Sequence, residues 1–158
     1  APTVFVSHQS QDLDYAERMT LEVRTSGIDY WLDIHDPTLT HANQTIPKSS
    51  VIYSVLVAGI IEMALLNSSH LIAVHTDSSL KSRWVPYEFG RVRDRRVFSG
   101  KCGSWFHPKT IPANHGDYLR LVRTTQGGES DITRWLSLWS TRTSPLNWKR
   151  PATPRSLP

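Results

Sequence analysis

Short apolar runs alternate with segments of helical periodicity along most of this chain, and that alternation constrains its fold more than any other feature. Val4-Phe5-Val6 reads as a buried strand ended by Ser7-His8-Gln9-Ser10. Ser10 is placed to cap a helix in which Leu13, Ala16, Met19 (or Thr20) and Val23 recur at helical spacing. Asp12 and Asp14 suit the positive end of its dipole, and Gly27 supplies the stop. Ile28 to Ile34 is the second strand, and a polar loop is expected from His35 to about Lys48, with Pro37 and Pro47 as breakers. Ser49 or Ser50 can cap a helix through about Asn67. Leu71-Ile72-Ala73-Val74 is the third strand, followed by a loop from Thr76 to Arg83. Pro86 marks the start of a helix carrying Glu88, Arg91, Arg93, Arg95 and Arg96.

The second half is less regular. Val97-Phe98 and Ser104-Trp105-Phe106 suggest a fourth strand, and Tyr118 to Val122 a fifth. Gly127-Gly128 breaks the chain ahead of a last helix from Asp131 to about Thr141. Strands alternating with helices predict an α/β fold, with a central five-stranded parallel sheet and helices on both faces. Residues 1–142 are expected to form one domain, and the Pro-rich, basic residues 143–158 a tail.

Val51 to Leu66 is the most apolar stretch. It falls short of the ~20 residues of a span and contains Glu62, so no membrane insertion is expected. Ser54, Ala58 and Glu62 make one narrow polar or small stripe on it. With the rest apolar, most of the helix circumference is expected to be buried. The first residues lack a basic n-region and a long apolar h-region, which points to a cytoplasmic protein. Cys102 is the single cysteine, which excludes a disulfide framework and a cysteine-based zinc site. The histidines show no metal spacing, so no metal is expected.

The net charge of +4 at first suggests a nucleic-acid partner. The charge is polarised, however. Residues 1–79 hold three Lys+Arg against nine Asp+Glu, and residues 80–158 hold fifteen against five. The six tryptophans are not interleaved with basic residues in a recognisable motif, so nucleic acid is set aside. Docking between subunits, or an anion held beside Arg83 or the Arg91–Arg96 cluster, uses the polarity instead.

Parallel sheets bind ligands beyond the carboxyl ends of their strands. Three loops leave those ends here. The first carries Ser7, His8 and Asp12, and the second Asp33, His35 and Asp36. The third runs from His75 into Arg83-Trp84-Val85-Pro86-Tyr87-Glu88. In the first turn of its helix Glu88 would be held as an anion by the dipole, fit to be a charged stabiliser or nucleophile rather than a proton donor. Trp84 is placed to set an aromatic face beside it.

Val4-Phe5-Val6-Ser7-His8 with Asp12, the strand ending Trp31-Leu32-Asp33, and Trp84-x-x-x-Glu88 followed by Phe89-Gly90 resemble a Toll/interleukin-1 receptor (TIR) domain of the bacterial type. The match covers residues 3–96 well and the remainder loosely. The resemblance implies a flavodoxin-like fold and cleavage of NAD at the nicotinamide–ribose bond. The product would be an ADP-ribose derivative, open, cyclic or conjugated. In bacterial antiviral immunity such a product activates a separate effector. It implies that Glu88 is the catalytic glutamate and that Asp33 matches the aspartate ending the second strand. NAD is then a substrate, with no permanently bound cofactor, and self-assembly of TIR domains is expected. Ser7, His8, Asp12, Asp33, Asp36, His75 and Trp84 are the candidate substrate-binding residues.

The chemistry suits a single carboxylate. Nicotinamide is cationic in NAD and departs neutral, so it needs no general acid. The sugar passes through an oxocarbenium-like state that a carboxylate can stabilise or trap. The chain has no GxGxxG run, so NAD is not read as in a Rossmann dehydrogenase. The loop after the second strand lacks the glycine-containing pattern common among TIR domains. Two other readings stand beside this one: a non-catalytic assembly module, and another flavodoxin-like N-glycosidase such as a nucleoside deoxyribosyltransferase relative.

Overall fold

The computed structural model describes residues 2–92, 100–116, 119 and 125–140. The fold is α/β. Strands β1 (Thr3–Ser7), β2 (Asp29–Trp31), β3 (His70–His75), β4 (Cys102–Phe106) and the short β5 (Thr125–Gly127) lie in the order β2-β1-β3-β4-β5. Every pairing is parallel.

Side-chain alternation divides the core into two layers. Val4, Val6, Ile72, Val74 and Trp105 face α1 (Leu13–Thr25) and α5 (Glu129–Ser137). Phe5, Leu71, Ala73, Cys102 and Phe106 face α3 (Val51–Asn67) and α4 (Trp84–Val92). Gly103 allows α5 to sit close on β4, since a Cβ there would lie 3.3 Å from the Trp135 ring. Gly27 turns the chain out of α1 with φ of +73°, a conformation in which glycine carries no steric penalty. Because the strands are parallel, the chain segments after Ser7, Trp31 and His75 all leave one edge of the sheet.

Several expectations change. Residues 35–48 are not an open loop. After a 3-10 turn at Asp33–His35, helix α2 spans Pro37–Thr45. Asp36 caps it, accepting from the Thr38 and Leu39 amides, and Pro37 occupies a first-turn position where no amide is needed. Leu39 and Ala42 bury its inner side. The polar residues at Thr38, Thr40, His41 and Asn43 hid a helix that needs only one narrow apolar contact.

Helix α3 is present and capped by Ser50, which accepts from the Tyr53 amide. Its circumference is not mostly buried: only Ile61, Ala64 and Leu65 are fully so. Only one side of α3 meets the sheet, and among the described residues nothing covers the other. Ser10 does not cap α1. It opens a 3-10 turn, Ser10–Asp12, in which Gln9 accepts from the Ser10 amide. Helix α4 begins at Trp84, two residues before Pro86. The last helix begins at Glu129, with the Asp131 carboxylate accepting from the Gly128 amide.

Ser104-Trp105-Phe106 belongs to β4. Val97-Phe98, the Tyr118–Val122 run apart from Leu119, Arg93, Arg95, Arg96 and residues 143–158 lie outside the described residues. No helix among the described residues is long and apolar enough to cross a membrane.

Candidate functional site

Alternation along β1 places Ser7 on the same face as Phe5, toward α4. Helix α4 turns Glu88 back to the sheet, and the Ser7 hydroxyl donates to Glu88 Oε2 at 2.5 Å. Both residues are buried, Glu88 to 6% exposure. Glu88 stands fifth in its helix rather than in the first turn, where the dipole expected for it has largely faded. Its carboxyl is therefore not held as an anion. Burial pushes it up to about 7; the Ser7 hydrogen bond opposes this and the nearby Asp33 charge adds to it. A carboxyl poised there can act in either protonation state near neutrality.

A cleft of about 30 Å³ opens on Glu88, lined by Phe5, Val6, His8, Trp31, Asp33 and Ile61. That volume holds about one water. His8 Nε2 lies 3.7 Å from Asp33 Oδ1 across it. Asp33 Oδ1 also accepts from the Ile34 amide at 2.7 Å, which fixes the carboxylate at the start of its 3-10 turn. Trp31 stacks on Phe5 with ring centroids 4.6 Å apart and forms an aromatic wall.

The other candidates are placed elsewhere. Asp36 accepts from the Trp31 indole at 3.0 Å while capping α2, so its carboxylate fixes the cleft wall rather than facing the cleft. Burial raises its carboxyl, but the Leu39 amide, the Trp31 indole and the Thr38 amide more than offset that and hold it below the ordinary range. Trp84 is half-exposed, meets Tyr87 edge to face at 5.8 Å, and is not among the residues lining the cleft. His75 is fully buried, stacked on Phe106 at 4.8 Å, with Nε2 3.2 Å from Ser104 Oγ. Burial, with a smaller effect of His115, lowers it to about 3, so it is a neutral core histidine.

Asp12 sits at a second, larger cavity of about 260 Å³, lined also by Tyr15, Thr76, Asp77, Ser78, His107, Lys109 and Thr110. Its carboxylate accepts from Thr76 Oγ1 and from Ser78 Oγ, each at 2.8 Å. It ties the loop after β3 to the start of α1. The structure thus brings Ser7, His8, Asp33 and Glu88 together, and leaves Asp12, Asp36, His75 and Trp84 outside that group.

Trp31 and Ile61 are cleft residues that sequence reading did not single out. Trp31 had a signal, as the last residue of β2, two before Asp33. Ile61 had none, being one of many apolar residues in α3. Among the described residues, no three His, Cys, Asp or Glu side chains cluster as a metal site would need. Arg91 pairs with Glu62 at 2.7 Å on the outer surface rather than at the cleft.

No protein-family model matches the chain, and no curated protein is similar to it.

Proposed function

We propose that this chain is a flavodoxin-like TIR-type domain that cleaves the nicotinamide–ribosyl bond of NAD, with Glu88 as the catalytic group. The observation that carries the reading is the buried Glu88 carboxyl, held by Ser7 at the carboxyl edge of a parallel sheet and facing Asp33 and His8. The strand order supports it, since it matches that of flavodoxin-like sheets, whose ligands bind at this edge. The sequence resemblance implies the catalytic role for Glu88 and matches Asp33 to the aspartate that ends the second strand.

In this reaction the bond from the ribose C1′ to the pyridinium nitrogen breaks. Its electron pair goes to the nitrogen, and nicotinamide leaves neutral. The ribosyl cation left behind is stabilised or trapped by the Glu88 carboxylate. Water captures it and loses a proton to give ADP-ribose, or a nucleophile of the same molecule closes a ring. The cationic substrate itself draws Glu88 toward its charged form. Asp33 and His8 border the ribose, and Trp31 offers a flat apolar wall. The cleft must widen to admit the sugar, and the segments after β1 and β2 are the ones that border it. The product would serve as a cytoplasmic signal for an effector in antiviral defence.

The bare outer side of α3 favours a second reading, a non-catalytic assembly module. Mass spectrometry of NAD incubated with purified protein separates these. Nicotinamide with open or cyclic ADP-ribose supports the enzyme. Intact NAD with self-association supports the module, and turnover of deoxynucleosides with NAD untouched points to the nucleoside deoxyribosyltransferase alternative.

A further inference from the structure

Helix α3 carries an apolar stripe with nothing over it. Ile52, Val55, Leu56, Met63 and Leu66 are between 37% and 71% exposed. Their spacing puts them on one side of the helix, opposite Ile61, Ala64 and Leu65, which are buried against the sheet. Single exposed apolar residues are ordinary, but a continuous stripe along a helix ~25 Å long marks an interaction surface.

We infer that this stripe docks, antiparallel, on the same stripe of a second copy of the chain. The spacing is symmetric about Gly59. Val55 and Met63 stand four residues either side of it, and Ile52 and Leu66 seven. In an isologous contact centred on Gly59, Val55 faces Met63 of the other copy and Ile52 faces Leu66, while Leu56 stands level with the other copy's Glu62 at the polar rim. The centre is open, because a Cβ built on Gly59 meets nothing within 4 Å, and two helix backbones can approach closely there. Glu62 is the one charged residue of α3 and Arg91 pairs with it, so neither copy brings an unpaired charge to the seam.

The edges are polar and already satisfied. Tyr53 donates to Asn43 at 2.6 Å on one side, while Tyr87 and Arg91 hold Glu62 on the other. An apolar centre inside a polar rim is the anatomy of a specific interface. A single two-helix seam of this length belongs with the small, transient interfaces, below ~1,200 Å² in total, which suits a micromolar dimer. The inference does not rest on the NAD reading, since none of the stripe residues lines the Glu88 cleft.

Sedimentation of the full chain tests it, together with three variants. The wild type is expected to dimerise in the micromolar range. Gly59→Lys and Val55→Glu should weaken the dimer about tenfold or more, with unchanged circular dichroism. Gly59→Cys should cross-link to itself under mild oxidation, because it lies on the two-fold axis. Cys102 is buried and stays out of that reaction. A wild type that remains monomeric at about 100 μM overturns the inference. So does a dimer that Gly59→Lys leaves intact and Gly59→Cys does not cross-link.

Discussion

Ser7 and Glu88, 81 positions apart in sequence, share a buried 2.5 Å hydrogen bond. Two simple facts produce it. The alternation of β1 turns Ser7 to the α4 side of the sheet, and the helical spacing of α4 brings Glu88 to its buried side with Val85, Phe89 and Val92. The bond stabilises the charged carboxylate while burial opposes that charge.

That balance predicts the pH profile of NAD cleavage. With the carboxylate as the working form, kcat/KM should rise through about pH 7. Ser7→Ala removes a bond that lowers the pKa, so the rising limb should move to higher pH. Asp33→Asn removes a charge that raises it, so the limb should move to lower pH. Initial rates of nicotinamide release from pH 5.5 to 9 check both shifts.

Glu88 should also cost stability at neutral pH. Its folded pKa is raised from 4.5 to about 7, so the folded state binds more protons between those values. The contribution of Glu88 to stability is therefore fully present below pH 4.5 and is lost as pH rises through 7. Glu88→Gln keeps an acceptor for Ser7 without the charge. It should be more stable than the wild type at pH 8, on the order of 3 kcal/mol, and equal to it near pH 4. Urea titrations at the two pH values measure this.

The buried histidines act in the opposite direction. Burial, with a lesser effect of Lys101, lowers His70 to about 4, and His75 is lowered to about 3. The stability that follows from keeping them neutral is present above pH 6.5 and is lost as pH falls toward 4. In a Glu88→Gln background, the thermal midpoint should therefore drop between pH 6.5 and 4. Replacing His75 with Phe should make that drop shallower.

Asp36→Ala should unfasten the cleft wall from below. It removes the cap of α2 and the partner of the Trp31 indole. Loss of a helix cap costs about 1 kcal/mol, and a stranded indole adds to it. A fall in stability of roughly 2 kcal/mol is expected by denaturant titration, with quenched or shifted Trp31 fluorescence as the local signature.

The sheet and the site group were legible because strands β1 and β3 are short apolar runs ended by polar residues, a pattern of period and length alone. Ser7, His8, Asp33 and Glu88 could be named from their places after strands or on a following helix. The Ser7–Glu88 bond itself could not, since it depends on two elements 81 positions apart meeting across the sheet. Helix α2 was hidden because its stability comes from one capping aspartate and two buried side chains rather than from a broad apolar face. The exposure of α3 was misread for the converse reason. Apolar content says that a surface avoids water, not whether the covering surface lies in the same chain. His75 looked like a site residue by its position at a strand end. The parity of β3 turns its ring into the core layer with Ala73 and Phe106 instead.

The most direct test of the account is the initial rate of nicotinamide release from NAD by the wild type and by Glu88→Gln, both shown to be folded. The variant keeps the shape of the side chain and an acceptor for Ser7, and lacks only the negative charge. A rate lower by about a hundredfold or more in the variant is the predicted result. Equal release of nicotinamide by the two proteins would contradict the assignment of Glu88 as the catalytic group.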